Sequence, residues 1–195
     1  MTSLLKEIKF EQPKSFKFTK ENLNKVDSII ARYPKKRSAI MPLLHLVQKQ
    51  ESDSWISTAS MDYIAELLNI PSMYVYEAAN FYTMFNKQPV GKYLIQICRT
   101  TPCWLRGSDD IKSACKKKLG IDVGETTKDN KFTLVEVECL GSCANAPIVQ
   151  INNDYYEDLS PESITKILDA LKSGKKPKIG SQIDRKGAEP KIKKE

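Results

Sequence analysis

The chain has 195 residues, 41% of them hydrophobic and 28% charged, with a formal net charge of +7. That length allows one sizeable core or two small ones, and no apolar run approaches the roughly 20 residues a membrane-spanning helix needs. The basic excess belongs to one end: Lys172 to Glu195 holds nine basic and three acidic residues, against 22 and 21 in the rest, so the body carries no phosphate-tracking stripe and nucleic-acid binding is disfavoured.

The first stretch, Met1 to Lys20, contains Glu7 and Glu11 and no apolar h-region. It reads neither as a secretory signal nor as an acid-poor transit peptide, which implies a cytoplasmic or already mature protein. Residues 1–17 are polar and are expected to form an extended arm. Thr19 is a candidate N-cap for a helix reaching about Arg32, with Leu23, Val26 and Ile30 at i, i+3, i+7, and Pro34 stops it. A second helix starts near Ser38, tolerates Pro42 in its first turn, and carries the stripe Ile40, Leu43, Leu44, Val47. A third, from about Thr58 to Asn69, places Met61, Ile64, Ala65 and Leu68 on one face. A fourth runs from Ser72 towards Phe85 and is rich in aromatics, which read first as core packing and second as a partner surface. Residues 18–90 therefore read as a helical bundle.

The pattern changes at Gly91. Lys92 to Cys98 reads as a strand, and Ser108 to Leu119 as a helix with Ser108 as N-cap and Asp109 and Asp110 in its first turn. Phe132 to Cys139 reads as a second strand, with Val135, Val137 and Cys139 on one face. Ile148 to Asn152 is a short strand, turned at Asn153-Asp154 into Tyr155-Tyr156. Ser160 caps a last helix, Pro161 to Ser173, burying Ile164, Ile167, Leu168 and Leu171. The order β-α-β-β-β-α over 91–173 implies an α/β or α+β domain with one small sheet. Residues 174–195 are basic, have little to bury, and are expected to be flexible alone or to lie along a partner.

Five cysteines are present, Cys98, Cys103, Cys115, Cys139 and Cys143. An odd count without an export signal argues against a disulfide framework. Cys98–Cys103 is spaced C-x4-C and Cys139–Cys143 C-x3-C, and each pair begins where a predicted strand ends. If those strands are parallel, both loops leave one sheet edge and four thiolates converge, as a [2Fe-2S] core with tetrahedral irons requires. Thr100, Thr101, Ser142 and the backbone at Gly141 are candidate hydrogen-bond donors to sulfur. Arg99 and Arg106 are either cations that stabilise a reduced cluster or solvated surface charges. Structural zinc also takes four cysteines in such pairs, and remains the competing metal. The 35 residues between the pairs suit it less well than iron and sulfide. No C-x-x-C occurs for thiol–disulfide chemistry. Cys115, mid-helix, reads as a small buried side chain. His45 is the only histidine and reads as a packed helical residue. No G-x-G-x-x-G or P-loop is present, so neither a nucleotide or flavin site nor a catalytic residue is expected on this chain.

Cys98-x4-Cys103 followed by Cys139-Leu-Gly-Ser-Cys143-Ala-x-Ala-Pro147 resembles the 24-kDa-type [2Fe-2S] subunit of respiratory complex I, NADH:quinone oxidoreductase, in the thioredoxin-like ferredoxin family. The resemblance extends through Tyr33-Pro34, Ser38 to Leu44, Trp55-Ile56-Ser57, Phe81 to Phe85, Pro89 to Tyr93 and Leu105-Arg106-Gly107-Ser108, and covers about Phe18 to Leu171. Only the polar stretch Gln48 to Trp55 and Asn80 depart from the family pattern, and neither touches the cysteines. The resemblance implies an α/β fold in which a helical bundle precedes a thioredoxin-like domain. It implies one [2Fe-2S] cluster on Cys98, Cys103, Cys139 and Cys143, with Cys115 excluded, and a cis bond at Ala146-Pro147. It further implies a flavoprotein partner that binds FMN and NADH, other iron–sulfur subunits, and a role in electron transfer or storage beside the flavin. The expected location is the cytoplasmic side of a bacterial inner membrane, or the matrix side for a mature organellar form. The equivalent diaphorase subunit of an NAD-linked hydrogenase or formate dehydrogenase is the alternative within this chemistry. A zinc-stabilised interaction module is the alternative of another class.

Overall fold

The computed structural model describes residues 5–6 and 10–187. The chain divides into two compact units, Glu7–Val90 and Met1–Lys6 with Gly91–Glu195.

The first unit is helical: α1 (Lys20–Ala31), a 3-10 turn (Lys36–Ala39), α2 (Ile40–Gln50), α3 (Thr58–Leu68) and α4 (Ser72–Phe81). Thr19 caps α1 by accepting from the Asn22 N–H, and Ser57 caps α3 through Ser60, each satisfying an amide that has no partner within its helix. The expected stripes of α2 and α3 are buried around one core. Four features differ from the sequence expectation. Phe16, assigned to the extended arm, is buried in this core and packs edge-on against Phe18 and Tyr63; burying an aromatic ring outweighs the polar character of its neighbours. Residues 1–4 and 7–9 of that expected arm lie outside the described residues. His45 is exposed rather than packed in the core, with its ring 4.9 Å from that of Phe85. Helix α4 stops at Phe81, and Phe81, Tyr82 and Met84 are exposed while Phe85 alone of that run is buried. Leu23 of α1 is also exposed.

The second unit is a five-stranded mixed sheet in the order β2-β1-β3-β4-β5, from β1 (Tyr93–Cys98), β2 (Phe132–Val137), β3 (Val149–Ile151), β4 (Asp154–Glu157) and β5 (Gly180–Ser181). Strands β1 and β2 are parallel, as four converging thiols require, and pair Cys98 with Val137. Parallel neighbours need a crossover, supplied by α5 (Thr101–Leu105) and α6 (Ser108–Leu119). Pleating sends Ile95 and Ile97 to the side covered by α6 and by α7 (Pro161–Lys172), where Ile111, Cys115, Ile164, Ile167 and Leu168 complete a core. Cys98 faces the other way, into a small apolar cluster with Cys103, Ala146 and Ile148. Gly91 is where only glycine fits: a Cβ there would sit 2.8 Å from Phe132 N and 2.9 Å from Lys131 C.

Helix α5 replaces what the sequence reading leaves as a loop. Its five residues are too few for a periodic apolar signal. Gly107, not Ser108, is the N-cap of α6. The β3–β4 turn falls at Asn152-Asn153, one residue early, because Asn152 takes the left-handed conformation (φ 54°) that the turn needs. The largest correction concerns the basic tail. Gly180–Ser181 pairs with β4, and Arg185 forms an ion pair with Asp158 at 2.6 Å, so 175–187 is not a free segment. Residues 188–195 lie outside the described part.

Candidate metal centre

The first cysteine pair is placed by β1 and α5. Cys98 ends the strand, its N–H bonded to the Ile148 carbonyl at 3.2 Å. Pro102 in the first turn of α5 fixes the chain direction, and Cys103 follows on that helix. Both sulfur-bearing residues are buried. The second pair lies beyond the end of β2, which stops at Val137, and both Cys139 and Cys143 are exposed. Because β1 and β2 run parallel, both pairs emerge at the C-terminal edge of the sheet.

The turn that carries the second pair is anchored to β4. Tyr155 donates its hydroxyl to the Leu140 carbonyl at 2.7 Å. Glu157 accepts from Ser142 Oγ and Asn145 Nδ2, each at 2.7 Å. Cys139 Sγ and Cys143 Sγ are 3.6 Å apart, close to the separation of about 3.8 Å that two sulfurs adopt on one tetrahedral metal with bonds of about 2.3 Å. Gly141, at φ +85°, turns its N–H to Cys139 Sγ at 3.4 Å. Thr100 Oγ1 is 3.3 Å from Cys98 Sγ. Ala146-Pro147 is cis.

The thiols sense one another. Burial pushes Cys98 up, but hydrogen bonds from the Thr100 side chain and backbone, Leu140 and Cys103 bring it below the ordinary thiol value. Burial, then the bond to Cys98 and the charges of Cys98 and Cys143, push Cys103 up to about 12. The Gly141 N–H, with Cys143 and Thr100, lowers Cys139. Cys143 is raised by its bond to Cys139 and by burial. A metal held by these thiols would displace their protons.

A family model described as thioredoxin-like [2Fe-2S] ferredoxin matches residues 26–172. The chain belongs to that family. Its relatives include an NADH-quinone oxidoreductase subunit of Rickettsia bellii, 56% identical over 161 residues, which span 82% of this chain and 96% of that one. The mitochondrial NADH dehydrogenase (ubiquinone) flavoprotein 2 of Dictyostelium discoideum is 55% identical over 176 residues, 89% of this chain and 71% of that one. Among solved structures, an air-oxidized NAD+-reducing [NiFe]-hydrogenase superposes with a TM-score of 0.61 at 17% identity, over 69% of this chain and 23% of that chain. At that identity the likeness is one of fold. The family's cluster fits the residues present: four thiols at one edge, one pair already at metal-sharing distance, and N–H and O–H donors directed at sulfur.

Of the residues singled out from the sequence, Thr100 and Gly141 meet sulfur as expected. Ser142 spends its hydroxyl on Glu157 instead. Thr101 starts α5. Arg99 is exposed and paired with Glu138 at 2.7 Å, and Arg106 reaches the Ala146 carbonyl at 3.5 Å. Cys115 is fully buried on α6, away from the four, and burial pushes its thiol up to about 12. Tyr155 and Glu157, which hold the second turn, carry no sequence signal beyond their place in a hairpin.

Proposed function

We propose that this chain is the [2Fe-2S] electron-transfer subunit of an NADH:quinone oxidoreductase, with Cys98, Cys103, Cys139 and Cys143 as the ligands of one cluster. The observation that carries the reading is the convergence of two cysteine pairs at the C-terminal edge of two parallel strands, in a chain more than half identical, over the aligned residues, to subunits of that enzyme. Cys98 and Cys103 would hold the inner iron in the apolar cluster with Ala146 and Ile148, and Cys139 and Cys143 the outer one. When bound, the cluster supplies reversible storage of one electron. The chain's own residues orient four thiolates, direct the Thr100 hydroxyl and Gly141 N–H at sulfur, and keep the inner pair from water. The division of the chain after Val90 supports reading 18–90 and 91–173 as helical and cluster-bearing domains.

The proposed partners are a flavoprotein that binds FMN and NADH, and the neighbouring iron–sulfur subunits. The location that goes with them is the cytoplasmic face of a bacterial inner membrane, or the matrix face in an organelle. No described helix is long and apolar enough to cross a membrane. The hydrogenase-type assembly remains the second reading, supported only by the likeness in fold. Purifying the chain in its native assembly separates the two. An FMN-containing complex that reduces quinone with NADH is expected, and a complex containing nickel or molybdenum would overturn the assignment.

A further inference from the structure

Among the described residues, Asp158 is the one charged side chain that is buried. It adopts φ 53°, a conformation that L residues rarely hold without support. Its N–H donates to the Asn145 carbonyl at 2.7 Å. Its carboxylate accepts from Ser181 Oγ at 2.7 Å and from Arg185 Nη2 at 2.6 Å. The same guanidinium donates to the Ala144 carbonyl. Ala144 directly follows Cys143. One residue earlier, Glu157 holds Ser142 and Asn145 through its carboxylate and receives the Gln182 N–H on its carbonyl at 3.0 Å. The tail from Gly180 to Arg185 thus closes over the end of β4 and reaches the turn that presents the second cysteine pair.

That turn needs holding. Cys139 and Cys143 are exposed, and Asn145 Oδ1 is buried without a hydrogen-bond partner among the described residues, a cost borne by this conformation. Tyr155, Glu157 and, at the Ala146 carbonyl, Arg106 hold the turn from nearby elements; Arg185 adds an anchor beside Cys143 from a segment more than forty residues later in the sequence. A guanidinium suits the task because its fixed fork serves a carboxylate and a carbonyl together.

We infer that Arg185 is a positioning residue for Cys143: by bridging Asp158 and the Ala144 carbonyl it fixes the turn that presents the outer pair of thiolates, so the C-terminal strap sets the environment and lifetime of the cluster. The inference rests on the ligand assignment proposed above. The test uses the full chain with its cluster, as wild type, Arg185→Met, the double variant Arg185→Met/Asp158→Asn, and Lys186→Ala as a charge control at an exposed neighbour. Iron loss to bathophenanthroline and the EPR g values after dithionite reduction are read beside thermal melting. Arg185→Met is expected to assemble iron and sulfide, to lose iron about ten-fold faster and to show altered g values. The double variant, which leaves no unpaired buried charge, is expected to do the same, and to decide the matter if Arg185→Met does not fold. Lys186→Ala is expected to match wild type. Wild-type g values and iron-loss rate in both Arg185 variants, or equal changes in Lys186→Ala, would overturn the inference alone. A wild-type chain without iron and sulfide would overturn the ligand assignment and this inference with it.

Discussion

Replacing Thr100 by Val removes one hydroxyl and little else. Both side chains are β-branched and of equal size, and Thr100 makes no side-chain cap bond to α5, so the helix start is unaffected. The lost atom lies 3.3 Å from Cys98 Sγ. A ligating thiolate has no proton, so the hydroxyl is the donor. A hydrogen bond to a charged acceptor is worth about 1.5–3 kcal/mol in total. Only the part that strengthens when the cluster gains its electron moves the potential. If that part is about 0.5–1.5 kcal/mol, the shift is about 20–65 mV, since a tenfold change in a one-electron equilibrium is about 59 mV. The sign follows from charge: the donor stabilises the more negative reduced state, so Thr100→Val lowers the midpoint potential. An EPR-monitored redox titration of wild type, Thr100→Val and Thr100→Ser measures it. Thr100→Ser, which keeps the hydroxyl, is expected near wild type. A higher potential in Thr100→Val, or an equal shift in Thr100→Ser, would refute the reasoning.

Gly91→Ala drives a Cβ to 2.8 Å from the backbone of Phe132, which cannot yield as a side chain tip does, and is expected to cost about 1–3 kcal/mol as a lower melting temperature; an unchanged melt would contradict the close approach. Ser160→Ala removes the acceptor for the Ser163 N–H in the capping box of α7 and is expected to cost about 1 kcal/mol by urea denaturation. Burial pushes the Cys115 thiol from its ordinary 9.0 up to about 12 in the folded chain. The neutral thiol's contribution is therefore complete below about pH 9 and is lost as pH rises towards 12. The stability gap between wild type and Cys115→Ala should narrow by roughly 1 kcal/mol between pH 7 and pH 10, and a constant gap would show that the thiol is not buried as described.

The strands and long helices were legible because their signals are local: Ile164, Ile167, Leu168 and Leu171 repeat at helical spacing, and Ser160 stands where a cap belongs. The placement of the two cysteine pairs at one sheet edge was legible because each pair is close in sequence and follows a strand whose pattern is local. What escaped depends on partners distant in sequence. Phe16 is buried only because Phe18 and Tyr63 meet it. The strap reads as free because Gly180-Ser181 has no strand propensity and finds its pairing in β4. Arg185 looks like one more tail charge, since nothing near it in sequence announces Asp158. The exposure of Phe81 and Tyr82 escapes for the opposite reason: aromatic density signals a core, and here the helix ends before its ring pair turns inward.

The most direct measurement is the iron, zinc and acid-labile sulfide content of the anaerobically purified chain, with EPR after dithionite reduction, in wild type and in Cys139→Ser. About two irons and two sulfides per chain, as four-cysteine ligation of one [2Fe-2S] core implies, with a signal from one unpaired electron that is altered or lost in Cys139→Ser, is the expected result. Zinc without sulfide and no signal, or a Cys139→Ser variant with unchanged iron and spectrum, would contradict the central claim.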